Sequence, residues 1–241
     1  MLQNMRKGEE LPEKALIIYL HQQNLVNQEE NEIDIQQFSN GFSNLTYQIA
    51  IGDQVFVLRR PPVGAIKRGH DMGREFKVLQ ALKPVFHKVP KVFTYESSGS
   101  VIGAPFYLME KIEGIIINSS NAPKMNLPVS NWKQIAETWL EGLTALHELD
   151  YKAIGLKDLG KPDGYVSRQV TNWSKQYVKA ATDDLPHAIS LMQWLDDHQP
   201  KSYNHRLIHN DYKYDNVVFK DKEWKEIRAI LDWEMTTLGD P

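Results

Sequence analysis

The chain has 241 residues, a formal net charge of −3 and no cysteine. This length can bury a sizeable core and fits a two-lobed enzyme, and a composition with 41% hydrophobic and 24% charged residues is ordinary for a folded protein. The lack of cysteine excludes disulfides, zinc-thiolate sites and thiol catalysis, and the charge offers no basic footprint for nucleic acid. Since no segment resembles a membrane span or a signal-peptide core, we expect a cytoplasmic protein without a membrane partner.

The first quarter of the chain predicts a short helix followed by antiparallel strands. Pro12 stands where a first helical turn begins, and apolar residues then recur at helical spacing as far as Leu20. Apolar residues next alternate with polar ones in three runs, at residues 33–38, 45–51 and 55–60, and short turns separate the runs. This pattern predicts three antiparallel strands.

The turn between the first two predicted strands contains Gly41, Ser43 and Asn44. Glycine lets a backbone approach an anion closely, while serine and asparagine can donate hydrogen bonds from both side chain and main chain. The turn is therefore a candidate phosphate-binding segment, although an ordinary hairpin turn could have the same sequence.

One helix and two more strands complete the predicted β-rich part. Residues 70–83 carry an apolar helical stripe with Glu75 beside it, and residues 91–96 and 104–109 have strand-like composition. The segment from Glu110 to Gly114 then becomes charged and ends in glycine, which indicates a hinge. We therefore expect an N-terminal lobe over residues 1–110.

The remaining chain, residues 111–241, predicts a mainly helical lobe that leads into a final β-hairpin. Apolar residues at residues 132–146 recur with a period near 3.6, and two further helices are expected at residues 165–179 and 188–197, interrupted at Pro186. The predicted fold class is therefore α+β, with an antiparallel β N-lobe of five strands and a mainly helical C-lobe.

The final hairpin brings together residues suited to phosphoryl transfer. Asp211 is followed by Asn216 five residues later, and Asp232 follows the second strand-like run. A hairpin places Asn216 beside Asp232, and Mg²⁺ prefers such hard oxygen ligands together with phosphate and water. Asp211 could orient an acceptor hydroxyl and take its proton. We therefore predict a site for Mg²⁺ and a nucleoside triphosphate.

The segment HNDYKYDN resembles the catalytic loop of protein kinases, and LDW stands where those enzymes have Asp-Phe-Gly. The run DWEMTTLGDP is more similar to the aminoglycoside phosphotransferase and choline kinase branch. From Phe38 to Pro241 the chain resembles the kinase-like domain fused to some acyl-CoA dehydrogenases, through VLRRPPVGAIKRGHDMGREFKVLQAL, VPKVFTYESSGSVIGAPFYLMEKIEG and LIHNDYKYDNVVF. The resemblance implies a two-lobed kinase-like fold that binds ATP and Mg²⁺.

The resemblance also implies roles for residues outside the hairpin. Arg59 occupies the place of the strand lysine that contacts the phosphates in kinases. Arg60 is the alternative for this role, although we expect Arg60 to be an exposed arginine at the end of the strand. Glu75 would pair with that cation, unless it is an ordinary solvated glutamate. Lys213 would neutralise charge on the transferring phosphoryl group or else lie on the surface.

Two further expectations concern residues with less distinctive surroundings. In kinase-like folds the hinge hydrogen-bonds adenine through its backbone, which here would involve Glu110 and Ile112. Glu234 follows the metal aspartate and could reach a second ion, but an exposed carboxylate is the favoured interpretation.

The acceptor stays open between several chemistries. The resemblance favours a hydroxylated acyl group or its CoA thioester as the acceptor, with an aminoglycoside as the alternative acceptor. A further alternative is that the protein is a nucleotide-binding module without transfer activity. Protein phosphorylation is a weaker alternative, because no Ala-Pro-Glu motif follows Asp232. The chain ends at LGDP, where relatives usually continue into helices of the acceptor pocket, so we expect a shortened C-lobe.

Overall fold

An antiparallel sheet forms the framework of the first half of the chain. The computed structural model describes residues 2–39, 44–62, 64, 71–183, 185–200 and 204–241. Within these residues the sheet has six strands, in the order β1-β2-β3-β4-β6-β5. The strands are β1 (Leu2–Gln3), β2 (Ile33–Phe38), β3 (Leu45–Ile51), β4 (Gln54–Arg60), β5 (Val92–Glu96) and β6 (Phe106–Glu110).

The expectation of five strands in this sheet was one strand too few. The additional strand, β1, pairs Leu2 with Phe38 and Gln3 with Gln37 at the edge of the sheet. Two residues cannot show the alternation of apolar and polar side chains by which a strand is recognised in sequence. Its pairing depends instead on the neighbouring edge of β2.

Strand β4 lies inside the sheet, and this position decides the environment of both arginines at its end. Arg59 pairs with Thr46 of β3 on one side and with Tyr107 of β6 on the other. Arg59 is 8% exposed and Arg60 is 6% exposed. The expectation that Arg60 is an exposed strand-end residue was therefore wrong, because the sheet has covered faces on both sides at this point.

Helix α1 (Glu13–Gln22) contributes to the core on one side of this sheet. Leu16 and Leu20 are fully buried in the same apolar cluster as Tyr47 and Ile49 of β3. The apolar spacing read from the sequence thus marks the face of the helix that packs on the sheet.

Four further α-helices follow in the described part of the chain. They are α2 (Met72–Leu82), α3 (Val129–His147), α4 (Tyr165–Ala180) and α5 (Pro186–Asp197). Helix α2 begins after Asp71, whose side chain accepts a hydrogen bond from the Arg74 amide and so caps the first turn. The expected break between α4 and α5 is present, and Pro186 is the first residue of α5, where proline lacks only an N–H that the first helical turn leaves unpaired in any case.

The predicted hairpin near the end of the chain is present. Strand β9 (Val217–Phe219) pairs antiparallel with β10 (Ile227–Ile230), and β7 (Ile115–Ile116) adds a third strand on the other side of β9. Two further short strands, β8 (Arg206–Ile208) and β11 (Thr237–Gly239), pair with each other. The α+β class with an antiparallel N-terminal sheet is confirmed.

The described residues cluster into two compact units. The first unit combines residues 1–142 with residues 211–235, and the second combines residues 143–210 with residues 236–241. The first therefore contains the six-stranded sheet and the β9–β10 hairpin, while the second contains α4, α5 and the β8–β11 pair. The lobe boundary expected between residues 110 and 111 stays a prediction. In the described ranges, no helix combines the length and apolar character needed to cross a membrane.

Candidate active site

The β9–β10 hairpin places Asn216 beside Asp232. Val217 pairs with Ile230, and the Leu231 amide donates a hydrogen bond to the Asn216 carbonyl oxygen at 2.8 Å. Asp232 follows with φ of 67°, a left-handed conformation that aspartate adopts more readily than most residues. The chain thus turns sharply just after the second strand, at the predicted metal ligand.

Asp211 is held in place by two side chains of its own loop. The Asn216 Nδ2 donates to the Asp211 carbonyl oxygen at 2.9 Å and to its Oδ2 at 2.8 Å. The Lys213 ammonium lies 2.9 Å from the same Oδ2. This bond to Asp211 raises the pKa of Lys213, although the Lys213 side chain is half exposed. Lys213 is therefore a partner of the predicted base as well as a surface lysine.

The residue before Asp211 explains how the loop enters this conformation. Asn210 has φ of 66°, in the left-handed region that favours glycine and that asparagine tolerates. Its Oδ1 accepts a hydrogen bond from the Tyr165 hydroxyl at 3.1 Å. Asparagine at this position is thus compatible with a loop geometry that would otherwise call for glycine.

An aromatic contact fixes the other side of the loop. The Tyr212 hydroxyl donates to the Trp139 carbonyl oxygen of α3 at 2.8 Å, and the two ring centroids lie 4.6 Å apart. Burial raises the pKa of Tyr212 and keeps the phenol protonated as a donor. The residue next to Asp211 is therefore anchored to the helix.

The donor set fits a magnesium ion. Both acceptors that Asn216 contacts on Asp211 are oxygens without a hydrogen, so the amide nitrogen must face them and the amide oxygen must point away. Arg59 bonds to Oδ1 of Asp232, which leaves Oδ2 as the oxygen for a metal. Within the described chain no cluster of three or more His, Cys, Asp or Glu has metal-binding geometry. An ion here would need phosphate and water ligands, as Mg²⁺ commonly does.

The buried guanidinium of Arg59 contacts three carboxylates. Its Nη1 lies 3.3 Å from Glu75 Oε1, and its Nη2 lies 2.5 Å from Asp232 Oδ1 and 3.2 Å from Glu234 Oε2. Burial lowers the pKa of Arg59, but the charges of Glu75 and Asp232 outweigh burial, and the pKa is raised. The predicted pair of Arg59 and Glu75 is thus present, and Arg59 also links it to the predicted metal ligand.

Glu75 is a buried residue of α2 and no solvated glutamate. It is 1% exposed, and its Oε1 also accepts a hydrogen bond from the Trp233 amide at 3.1 Å. Burial raises the pKa of Glu75, Arg59 opposes this shift, and the nearby Asp232 and Glu234 add to it. Burial, together with the charge of Glu75, raises the pKa of the neighbouring Tyr107 hydroxyl well above its usual range.

Glu234 was expected to be an exposed carboxylate, and this was wrong. Its side chain is 15% exposed, and Oε2 accepts a hydrogen bond from Asn44 Nδ2 at 2.5 Å in addition to its contact with Arg59. Asn44, itself 2% exposed, directs its side-chain amide at Glu234. The sequence signal that could have found Glu234 is its position two residues after Asp232, within a short 3-10 turn (Trp233–Met235).

The structure describes only some of the other predicted nucleotide-binding residues. Gly41 and Ser43 lie outside the described residues. Glu110 ends β6, and its amide donates to the Lys91 carbonyl oxygen at 2.8 Å, so the Glu110 N–H is already bonded. Ile112 is partly buried in the segment that follows β6. An adenine site at these residues stays a prediction.

Comparison with known proteins gives a consistent result. The family of phosphotransferase enzymes known as APH matches residues 34–241. Acyl-CoA dehydrogenase family member 10 of Mus musculus is 37% identical over 238 residues, which are 98% of this chain and 22% of the relative. Member 11 of Homo sapiens is 38% identical over 232 residues, which are 95% of this chain and 29% of the relative. The chain thus spans less than a third of these relatives.

Solved structures show the same fold. A Ralstonia eutropha structure, described as a proposed aminoglycoside phosphotransferase, has a TM-score of 0.83 and 33% identity, covering 96% of this chain and 67% of that one. An aminoglycoside phosphotransferase in a ternary complex with streptomycin and ATP has a TM-score of 0.58 and 19% identity, covering 93% and 71%. These likenesses confirm the kinase-like fold expected from the sequence. This chain therefore belongs to the APH phosphotransferase enzyme family.

Proposed function

We propose that this protein uses ATP and Mg²⁺ to transfer the γ-phosphoryl group to a hydroxyl group of a small molecule. The observation that carries the proposal is the fixed Asp211 carboxylate, held by Asn216 and Lys213 in a loop whose hairpin sets Asp232 alongside. A base, two oxygen ligands and a cation within one compact unit are the parts that phosphoryl transfer requires.

The catalytic loop supplies the base. Asp211 orients the acceptor hydroxyl and accepts its proton as the oxygen attacks the γ-phosphorus, with the bond to the bridging oxygen of ADP breaking on the opposite side. The hydrogen bond from Asn216 and the ion pair with Lys213 hold the carboxylate in one orientation. This positioning is the main contribution that a protein makes to such a reaction, since no covalent intermediate is needed.

Asn216 and Asp232 would hold the Mg²⁺ ion through oxygen atoms. When bound, the ion neutralises charge on the triphosphate and orients it. Arg59 supplies a fixed positive charge for the phosphates, and its guanidinium has five N–H donors, of which Glu75, Asp232 and Glu234 take three. Glu75 keeps that guanidinium in place from α2.

For the acceptor we propose a hydroxylated acyl group, free or as its CoA thioester. The support is the match over nearly the whole chain to segments of proteins named acyl-CoA dehydrogenase family members 10 and 11. A phosphotransferase unit in one polypeptide with an enzyme for acyl-CoA would act on a chemically related compound. Phosphorylation would turn a poor leaving group, the hydroxyl, into a good one.

The test is ATP consumption by the purified protein with a panel of hydroxyacyl-CoAs, the corresponding free hydroxy acids and aminoglycosides. The proposal expects ADP formation that depends on Mg²⁺ and on a hydroxyacyl compound, and that is lost in Asp211→Asn. The matched acyl-CoA without a hydroxyl is the control substrate and should give no ADP above background.

A second candidate, aminoglycoside phosphorylation, is favoured by the structural likeness to proteins described as aminoglycoside phosphotransferases. ADP formation with aminoglycosides alone would select this acceptor. Tight Mg²⁺-dependent ATP binding without ADP formation in the presence of any of these compounds would instead indicate a nucleotide-binding module.

A further inference from the structure

Glu234 connects three elements around the proposed phosphate site. Its Oε2 accepts from Asn44, the residue just before β3, and lies 3.2 Å from Arg59 near the end of β4. It also follows Asp232 by two residues. A single carboxylate oxygen thus joins the sheet to the segment that carries the predicted metal ligand.

The register of the sheet explains why Asn44 and Arg59 reach the same atom. Thr46 pairs with Arg59 across β3 and β4. Because side chains alternate between the two faces of a strand, Asn44 and Thr46 point to one face, and Arg59 opposite Thr46 shares it. Asn44 and Arg59 are therefore diagonal neighbours on the face that looks towards Glu234.

Arg59 needs a carboxylate partner that keeps its contact with the guanidinium when ATP and Mg²⁺ are bound. In this structure Arg59 Nη2 divides its contacts between Asp232 and Glu234, while Nη1 faces Glu75. If Asp232 turns to a metal ion, Glu75 and Glu234 continue to hold the guanidinium from two sides. The Asn44 amide in turn fixes Glu234, because a carboxylate oxygen with two donors loses its freedom to rotate.

Resting on the proposed function, we infer that Glu234 is a positioning residue that aligns Arg59 for the ATP phosphates, and that Asn44 fixes Glu234 in that task. Glu234 acts here through Oε2, which accepts from both donors, and the binding experiment separates this role from that of a ligand of a second metal ion. Its side chain is 15% exposed and is already bonded to two donors on the same oxygen.

The two roles differ in what they require of the side chain. A residue that positions donors needs an oxygen acceptor, which glutamine retains. A magnesium ligand at this place would be weakened by glutamine, because a neutral amide oxygen attracts a divalent cation less strongly than a carboxylate does. Comparing Glu234→Ala with Glu234→Gln, which have the same charge, therefore isolates the acceptor from the electrostatic effect on a polyanionic nucleotide.

The experiment measures the Kd of ATP by calorimetry, once with EDTA and once with saturating Mg²⁺. Glu234→Ala should bind ATP about tenfold more weakly than Glu234→Gln under both conditions, in line with the loss of charge-assisted hydrogen bonds. Asn44→Ala should weaken binding in the same direction, and the double variant Asn44→Ala/Glu234→Ala should be no weaker than Glu234→Ala. Asp232→Asn is the matched metal-site control and should lose affinity with Mg²⁺ only.

Each other outcome overturns the inference in a recognisable way. If Glu234→Ala and Glu234→Gln lost ATP affinity equally, and only in the presence of Mg²⁺, Glu234 would be a metal ligand. Strictly additive effects of Asn44→Ala and Glu234→Ala would show that Asn44 does not act through Glu234. Wild-type protein without measurable ATP affinity would refute the proposed function itself. Should Glu234→Ala fail to fold, Asn44→Ala is compared with the equally uncharged Asn44→Ser, which keeps a side-chain donor for Glu234 and should bind ATP more tightly than the alanine variant.

Discussion

Replacing Arg59 with methionine should destabilise the protein strongly, because it leaves a buried carboxylate without its counter-charge. Glu75 is 1% exposed and the Arg59 side chain 10%. Removing one partner of such a buried ion pair costs about 3–5 kcal/mol, while the total stability of a folded protein is about 5–15 kcal/mol. The partly exposed Asp232 and Glu234 add little to this value, because solvent screens them.

Urea denaturation followed by circular dichroism measures the effect. With a urea dependence of about 2–3 kcal/mol per M, the midpoint of Arg59→Met should fall by about 1–2.5 M. Glu75→Gln introduced into that variant should restore part of the loss, since the buried charge is then gone. The control is Lys225→Met, which removes an exposed pair with Glu223 and should change stability by at most about 1 kcal/mol. If Arg59→Met were as mild as this control, the ion pair would not be a buried one, and the reasoning would fail.

Four other changes have defined outcomes. Asp211→Asn should slow phosphoryl transfer about 10²–10⁴-fold with the Kd of ATP unchanged, and a parallel loss of ATP binding would contradict its role as base. ATP together with Mg²⁺ should raise the melting temperature of the wild-type protein more than ATP alone does, and Asp232→Asn should abolish this difference in differential scanning calorimetry. Burial raises the folded-state pKa of Glu75, so its contribution to stability is fully present below the unfolded pKa near 4.5 and is lost as pH rises through the folded pKa. Wild type should therefore lose stability relative to Glu75→Gln as pH rises from 4.5, and a relative gain in paired urea titrations would show the opposite shift. Gly114→Ala should lower stability by about 1–3 kcal/mol, since a Cβ there would lie 2.4 Å from the Phe219 carbonyl oxygen, and an unchanged urea midpoint would show that the backbone yields at this point.

Much of the fold could be predicted because its signals are local. The alternation in β2, β3 and β4, and the helical stripe of α2, lie within single runs of sequence. Such periodicity follows from the geometry of one element. The short strands β1, β7 and β11 were not predicted, because two or three residues show no period and acquire strand geometry from a partner far along the chain.

The loop that contains Asp211 and the β9–β10 hairpin could also be predicted from the sequence. Asp211 and Asn216 are five residues apart, and their hydrogen bond forms inside one loop. The pairing of Val217 with Ile230 follows from two apolar runs on either side of a polar turn. The sequence by itself therefore determined which residues this loop and hairpin bring together, namely the predicted base Asp211 and the predicted metal ligands Asn216 and Asp232.

The surroundings of Arg59 were decided only by the tertiary structure. Its contact with Glu234 joins residues 175 positions apart, and that of Asn44 with Glu234 joins residues 190 positions apart. Neither pair has a period or a turn to reveal it, and the burial that changes the role of Glu234 arises only when the sheet and the hairpin pack together. Local sequence sets which side chains an element presents, whereas packing between distant elements decides which charges meet and how far water is excluded from them.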